Sequence, residues 1–308
     1  MEPWKNDRYY SLNHYARETF GEKLYKISLD AGLTCPNRDG TIDTRGCIFC
    51  SENGSGDFAG NARDSITRQL EKGKDLLTKK TVASSYIAYF QAYTNTYGKI
   101  DYLRKIYHEA LSDSQVKILS IATRPDCLND DVLNLLDELN QIKPVWIELG
   151  LQTSNEKSAA FIRRGYPLCV FETAVTNLRK RNITVIVHTI IGLPSEERDG
   201  ILETIKYLNT QDIQGIKLQL LHVLTGTDLA TIYETNPFFV PTLDEYLDLL
   251  GKCICTLRPD ITVHRITGDG PKSLLIAPLW SSNKRHVLNC ITNYFKEKDI
   301  WQGKSYVH

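Results

Sequence analysis

Six short apolar runs recur along the chain, at 24–29, 85–91, 116–122, 145–151, 184–191 and 215–222, and segments with helical spacing separate them. Runs such as Val116-Lys-Ile-Leu-Ser-Ile-Ala122 are almost continuously apolar, as strands covered on both faces must be. Helices are predicted over 65–80, 100–111, 129–139, 155–164, 169–180 and from Ser195 to about 208. The pieces on either side of Gly165 and Pro167 are read as broken there. Regular alternation of strand and helix demands parallel strands joined by right-handed crossovers. Six units are too few to close an eight-stranded barrel. The expected fold is therefore α/β, an open or partial barrel.

Beyond residue 225 the rhythm changes. A short helix is predicted at 227–233, longer ones at 243–257 and 283–296, and one further strand at 261–266. The expected organisation is an N-terminal arm over 1–20, a core over 21–225 and a C-terminal extension over 226–308 packed on the open side. The 308 residues carry 37 basic and 37 acidic side chains, so no global charge points to nucleic acid. No apolar run is long enough to span a membrane, and the first residues lack the apolar segment of a secretion signal. Eight cysteines without an export signal argue against a disulfide framework and for a cytoplasmic location.

Three of those cysteines lie in one stretch, Cys35-Pro-Asn-Arg-Asp-Gly-Thr-Ile-Asp-Thr-Arg-Gly-Cys47-Ile-Phe-Cys50, directly after the first strand. Thiolates are soft ligands, which leaves zinc, a redox pair or an iron–sulfur cluster. Zinc needs a fourth ligand, and the nearest histidines, His14 and His108, stand at neither finger nor ribbon spacing. A cluster on three cysteines leaves one iron free to bind a small molecule. Cys127, Cys169, Cys253, Cys255 and Cys290 are expected to be structural. Cys253 and Cys255 are two apart in a predicted helix and point to different faces.

The cysteine stretch, with Phe49 before its last cysteine, resembles the cluster loop of radical S-adenosylmethionine (SAM) enzymes. That superfamily usually spaces its cysteines three and two residues apart. The eleven-residue first gap, with Leu29-Asp-Ala-Gly-Leu-Thr-Cys-Pro-Asn-Arg-Asp-Gly and Gly46-Cys-Ile-Phe-Cys-Ser-Glu-Asn-Gly, is similar to the YtqA/YhcC-like group. The resemblance covers roughly residues 8 to 300 and itself implies a partial (β/α)6 barrel. It implies a [4Fe–4S] cluster on Cys35, Cys47 and Cys50, with SAM on the free iron and reductive cleavage to a 5′-deoxyadenosyl radical. It also implies an electron donor such as flavodoxin or ferredoxin.

Further phrases resemble oxygen-independent coproporphyrinogen oxidases and the Elongator catalytic subunit. In Glu148-Leu-Gly-Leu-Gln152, the glutamine is expected to meet the SAM ribose. Arg164, downstream, is expected to meet the carboxylate, and His188 stands where some relatives carry aspartate. Gln91 occupies the place of a glycine-rich SAM contact whose glycines are absent here. Arg124, closing the third strand, is expected to touch SAM or substrate, with Asp126 as its anchor or a substrate contact. His264, Arg265, Asp269 and Trp280 are expected to face the substrate. No catalytic residue is assigned. Kinship with the Elongator subunit implies a tRNA partner, with wobble 5-carboxymethylaminomethyl(-2-thio)uridine converted toward its 5-aminomethyl form. Lys79-Lys80, Arg163-Arg164, Lys180-Arg181 and Lys284-Arg285 are candidate phosphate contacts. The competing readings are radical chemistry on a metabolite or protein side chain, and a non-catalytic iron–sulfur protein.

Overall fold

The structure is a computed structural model that describes residues 4, 7–79, 81–268 and 270–307. The sheet contains β1 (Tyr25–Leu29), β2 (Tyr86–Phe90), β3 (Val116–Thr123), β4 (Val145–Gln152), β5 (Thr184–Ile191) and β6 (Gly215–Leu220). After a short β7 (Val223–Leu224) comes β8 (Thr262–Arg265), which joins the sheet beside β6. All neighbours pair in parallel, in the order β1-β2-β3-β4-β5-β6-β8. The strand expected at 261–266 thus adds a seventh member to the six that the alternation predicts. β7 pairs separately, antiparallel, with β9 (Leu275–Ala277).

Helix α1 (Leu12–Phe20) precedes the sheet. The crossovers are α2 (Ile66–Thr78), α3 (Ile100–Ser112), α4 (Asp130–Asn140), the pair α5 (Glu156–Phe161) and α6 (Leu168–Arg179), and α7 (Gly200–Asn209). α8 (Asp228–Thr235) and α9 (Leu243–Thr256) lead into β8, and α10 (Lys284–Glu297) ends the fold. Local capping fixes several starts: Ser65 accepts from Arg68 N, Asn129 from Val132 N, and Thr242 forms a capping box with Glu245. The helix expected at Ser195 begins instead at Gly200. Glu196 is drawn inward to accept from Thr153, and the chain turns there before the helix starts. Among the described residues, no helix is long and apolar enough to cross a membrane.

Strand side chains alternate between two environments, as period-two geometry requires. On β4, Val145, Ile147, Leu149 and Leu151 pack outward in the core shared with the helices. Trp146 and Glu148 point inward. The interior is layered, as in closed barrels. Its floor is apolar: Leu24, Ile87, Ile118, Trp146 and Ile186, covered by Leu12, Tyr15, Ala16 and Phe20 from α1 and its end. Above it lies a polar layer in which Lys26 of β1 and Lys217 of β6 reach the same Glu148 on β4. Strands so far apart in the sheet meet at one carboxylate only because the sheet is curled into a partial barrel.

Candidate active site

The cysteines lie in the loop after β1, at the C-terminal end of the barrel. Asn37 is buried; its Nδ2 donates to Arg163 O at 2.7 Å and lies 3.6 Å from Cys47 Sγ. Arg38 Nη2 donates to the carbonyls of Cys50 (2.8 Å) and Ser51 (2.6 Å), fastening the loop behind its last cysteine. Gly46 has φ +77°, and a Cβ there would lie 2.8 Å from Arg38 Nε. The left-handed backbone favours glycine there. Gly46 N also donates to Asn37 O at 2.7 Å, so residues 36–46 fold back on themselves. The long gap is thereby taken up, and Cys35, Cys47 and Cys50 line one cavity.

Burial, with Cys50 adding to it, pushes the Cys47 thiol up to about 12, and burial also raises Cys50. The protein alone therefore favours protonated thiols at Cys47 and Cys50, and a bound metal centre reverses that preference. Among the described residues, no three His, Cys, Asp or Glu side chains converge where one metal ion could be held. Three thiolates lining one cavity can hold an iron–sulfur cluster and leave one iron without a protein ligand.

Glu148 is fully buried at the bottom of this cavity. It accepts from Lys26 Nζ (2.8 Å), Ser120 Oγ (2.8 Å), His188 Nε2 (2.7 Å) and Lys217 Nζ. Burial opposes its ionisation, but Lys217 and Lys26 outweigh burial and hold the carboxyl well below the usual carboxylate range. Burial and then Lys217 push His188 down to about 4, although Glu148 pulls the other way. His188 is thus a neutral imidazole whose Nε2–H donates to Glu148. Lys217 Nζ also donates to Tyr89 Oη at 3.1 Å and sits 4.4 Å from that ring's centre.

Of the other predicted residues, Gln91, Arg124, Gln152, Arg164 and Arg265 line the same cavity. Gln91 Nε2 is tied to Ser55 O at 2.7 Å. Arg124 forms a two-pronged ion pair with Asp126 (2.9 and 2.7 Å) and donates to Arg164 O at 2.9 Å. Asp126 itself faces a neighbouring cleft beside Cys127. Arg164 is buried, with its donors on Tyr166 O (3.0 Å), Thr153 O (2.7 Å) and the Glu156 carboxylate (3.2 Å). Its guanidinium is already engaged by the protein. Gln152 is different. Its backbone is left-handed at φ +69°, its side chain lines the cavity, and its Oε1 is buried without a partner. A strained residue presenting an orphan acceptor suits a ligand that brings hydroxyl or amine donors.

The predicted substrate-facing group does not assemble as one lid. Arg265 reaches the cavity, but His264 packs edge-on to Trp146 of the floor, ring centres 5.1 Å apart. A register shift between Ile216 and Lys217 opposite β8 lets these adjacent residues both reach the barrel interior at different depths. Trp280 donates to Pro241 O at 3.0 Å and leans on Tyr246. Asp269, like Lys80, lies outside the described residues. Residues not anticipated are Lys26, Arg38, Tyr89, Ser120, Tyr166, Lys217 and Gln219. The lysines carried a readable signal, since a charge at an inward position of a buried strand must find a partner.

Comparison with known proteins agrees with this geometry. Residues 44–208 match the Radical SAM superfamily and residues 213–297 match the Radical_SAM C-terminal domain. The chain is 45% identical over 304 residues to the uncharacterized protein YtqA of Bacillus subtilis, covering 98% of this chain and 94% of YtqA. It is 36% identical to protein YhcC of Escherichia coli K12, covering 93% and 91%. Among solved structures, the archaeal Methanocaldococcus infernus Elp3 superposes with TM-score 0.68 at 14% identity, over 91% of this chain and 64% of that one. The chain thus spans just under two thirds of Elp3. Methylornithine synthase (PylB) superposes with TM-score 0.51 at 9% identity, over 90% and 85%. These two likenesses concern the fold alone. With three cysteines around one barrel-mouth cavity and relatives matched along nearly its full length, the chain belongs to the radical SAM superfamily, whose cofactors are a [4Fe–4S] cluster and S-adenosylmethionine.

Proposed function

We propose that this radical SAM protein modifies RNA, with the wobble uridine of tRNA as its target and conversion of a 5-carboxymethylaminomethyl group toward 5-aminomethyl as its reaction. Cys35, Cys47 and Cys50 hold the cluster, which supplies the electron for reductive cleavage of SAM. A flavodoxin- or ferredoxin-type donor recharges it. Gln152 turns its free Oε1 toward the SAM ribose. Arg124, held rigid by Asp126, walls the cofactor chamber, while the Glu148 layer closes it from below and excludes water.

The observation that carries the RNA reading is the route out of the chamber. A second compartment continues from the first and reaches Gly270 and Pro271. Gly270 also borders an outer groove lined by the exposed residues Lys272, Lys284 and Arg285. Exposed cations along a groove that leads to a reactive centre suit a polyanion whose one nucleotide must reach inward. The Elp3-like fold and the kinship of motifs support the same substrate class. The test is anaerobic reconstitution followed by incubation with SAM, reductant and bulk tRNA. The expected result is 5′-deoxyadenosine together with a mass change at a wobble nucleoside. Deoxyadenosine without any change in competent tRNA would remove RNA as the substrate and leave the metabolite or protein side-chain readings.

A further inference from the structure

The cations around the chamber differ in what they already hold. Arg38, Arg124 and Arg164 donate to loop carbonyls, and the last two also to Asp126 and Glu156. Lys26 and Lys217 share Glu148. Arg265 is half-buried, and among the described residues no hydrogen bond or ion pair engages its guanidinium. It stands opposite Lys217 in the register of β6 and β8. Arg265 therefore brings an unpartnered guanidinium beside a layer where Lys26 and Lys217 already share Glu148. Burial pushes Lys217 well below its ordinary value; Glu148 opposes this, and Lys26 and Arg265 reinforce it. A half-buried guanidinium without a partner is costly until an anion arrives.

Position says which anion. Six residues, Phe49, Ser55, Gln91, Gln152, Gln219 and Arg265, line both the cofactor chamber and the second compartment. Arg265 therefore stands in the passage between them. Gln219 lies two residues beyond Lys217 on the same face of β6, and its side chain too makes no hydrogen bond among the described residues. A phosphodiester would have to draw its ribose chain into this passage, and exposed Lys272 and Arg285 outside suit phosphodiesters better. A carboxylate on a short side chain reaches the passage without that cost, and a planar guanidinium matches it in two-pronged geometry.

The geometry points to a substrate-carboxylate site at Arg265, assisted by Gln219, that selects what enters the cofactor chamber. It rests on the proposed function only for the RNA used to test it. The same chemistry could come from the carboxylate of SAM, so both sources are measured on reconstituted holoprotein. With Arg265→Gln, SAM binding followed by calorimetry is expected to stay at the wild-type level. KM for tRNA bearing 5-carboxymethylaminomethyluridine is expected to rise about tenfold to a hundredfold, the worth of a hydrogen bond to a charged group. Arg265→Lys is expected to recover part of it. A matching loss of SAM affinity, or an unchanged KM, would overturn the assignment.

If wild-type protein modifies no tRNA, the RNA reading fails by itself, and small probes still judge the site. SAM-loaded wild type is expected to bind N-acetylglycine more tightly than the uncharged N-acetylglycinamide, and Arg265→Gln to lose that preference. Equal binding of the two by wild type would overturn the proposal.

Discussion

The two ends of the barrel interior are built on opposite principles. Toward the floor, most groups are answered from within: Trp146 and Ile186 by the apolar face of α1, Glu148 by two lysines, a serine and a histidine, with the Nδ1 of His264 the exception. At the mouth, Gln152 Oε1 has no partner, Gln152 and Arg163 hold left-handed backbones, and the Cys47 and Cys50 thiols resist ionisation. The lower part is largely complete as protein, His264 Nδ1 apart. The upper part becomes complete only with ligands, and that asymmetry marks where the chemistry is done.

Substitutions at the two ends should therefore fail in different ways. The largest effect belongs to the mouth. Cys47→Ala is expected to abolish cluster assembly and all 5′-deoxyadenosine formation; retention of a cluster with SAM cleavage would refute the ligand assignment. Next comes the floor. Glu148→Ala strands buried Lys217 and half-buried Lys26 and should cost about 3–5 kcal/mol in denaturant unfolding of the cluster-free protein. A loss below about 1 kcal/mol would show that the network is not the closed unit described here.

A smaller effect separates the ends by pH. His188 has an ordinary value near 6.5 and a folded value near 4, so between these the unfolded state binds more protons. Stability should be fully present above about 6.5 and fall as pH drops toward 4. The depressed Glu148 value has the same sign and extends the loss further into acid. His188→Gln should flatten the slope in that window, and an unchanged slope would remove His188 as its source. Smallest in stability is Gln152→Gly. Relief of the left-handed backbone offsets the entropy of glycine, so unfolding should be unchanged or improved by up to about 1 kcal/mol. SAM affinity should nonetheless fall, since the orphan oxygen is gone. A variant that lost stability and kept SAM affinity would invert the comparison.

Much of this fold is legible in the chain because each β/α unit announces itself locally. Predicted and observed strands differ by a residue or two at their ends, as at 85–91 against Tyr86–Phe90. The cysteines are legible because their spacing and neighbours are contiguous. What is not legible depends on curvature. Lys26, Glu148 and Lys217 lie far apart in sequence, and only closure of the sheet brings them to one point. The depth of His264 is not legible either, because the register shift beside it takes it to the floor while Arg265 stays at the mouth. Ser195 has the composition of a helix cap, but the inward pull on Glu196 delays the helix to Gly200. Arg164 fits a carboxylate-binding pattern, yet loop carbonyls and Glu156 already occupy its donors.

The most direct test of the central claim is electron paramagnetic resonance of the reduced, anaerobically reconstituted protein before and after SAM is added. Three thiolates with one exchangeable iron predict a [4Fe–4S] signal whose g-values shift when SAM binds, and no such signal in Cys47→Ala. A cluster signal indifferent to SAM, or stoichiometric zinc in place of iron, would contradict the account.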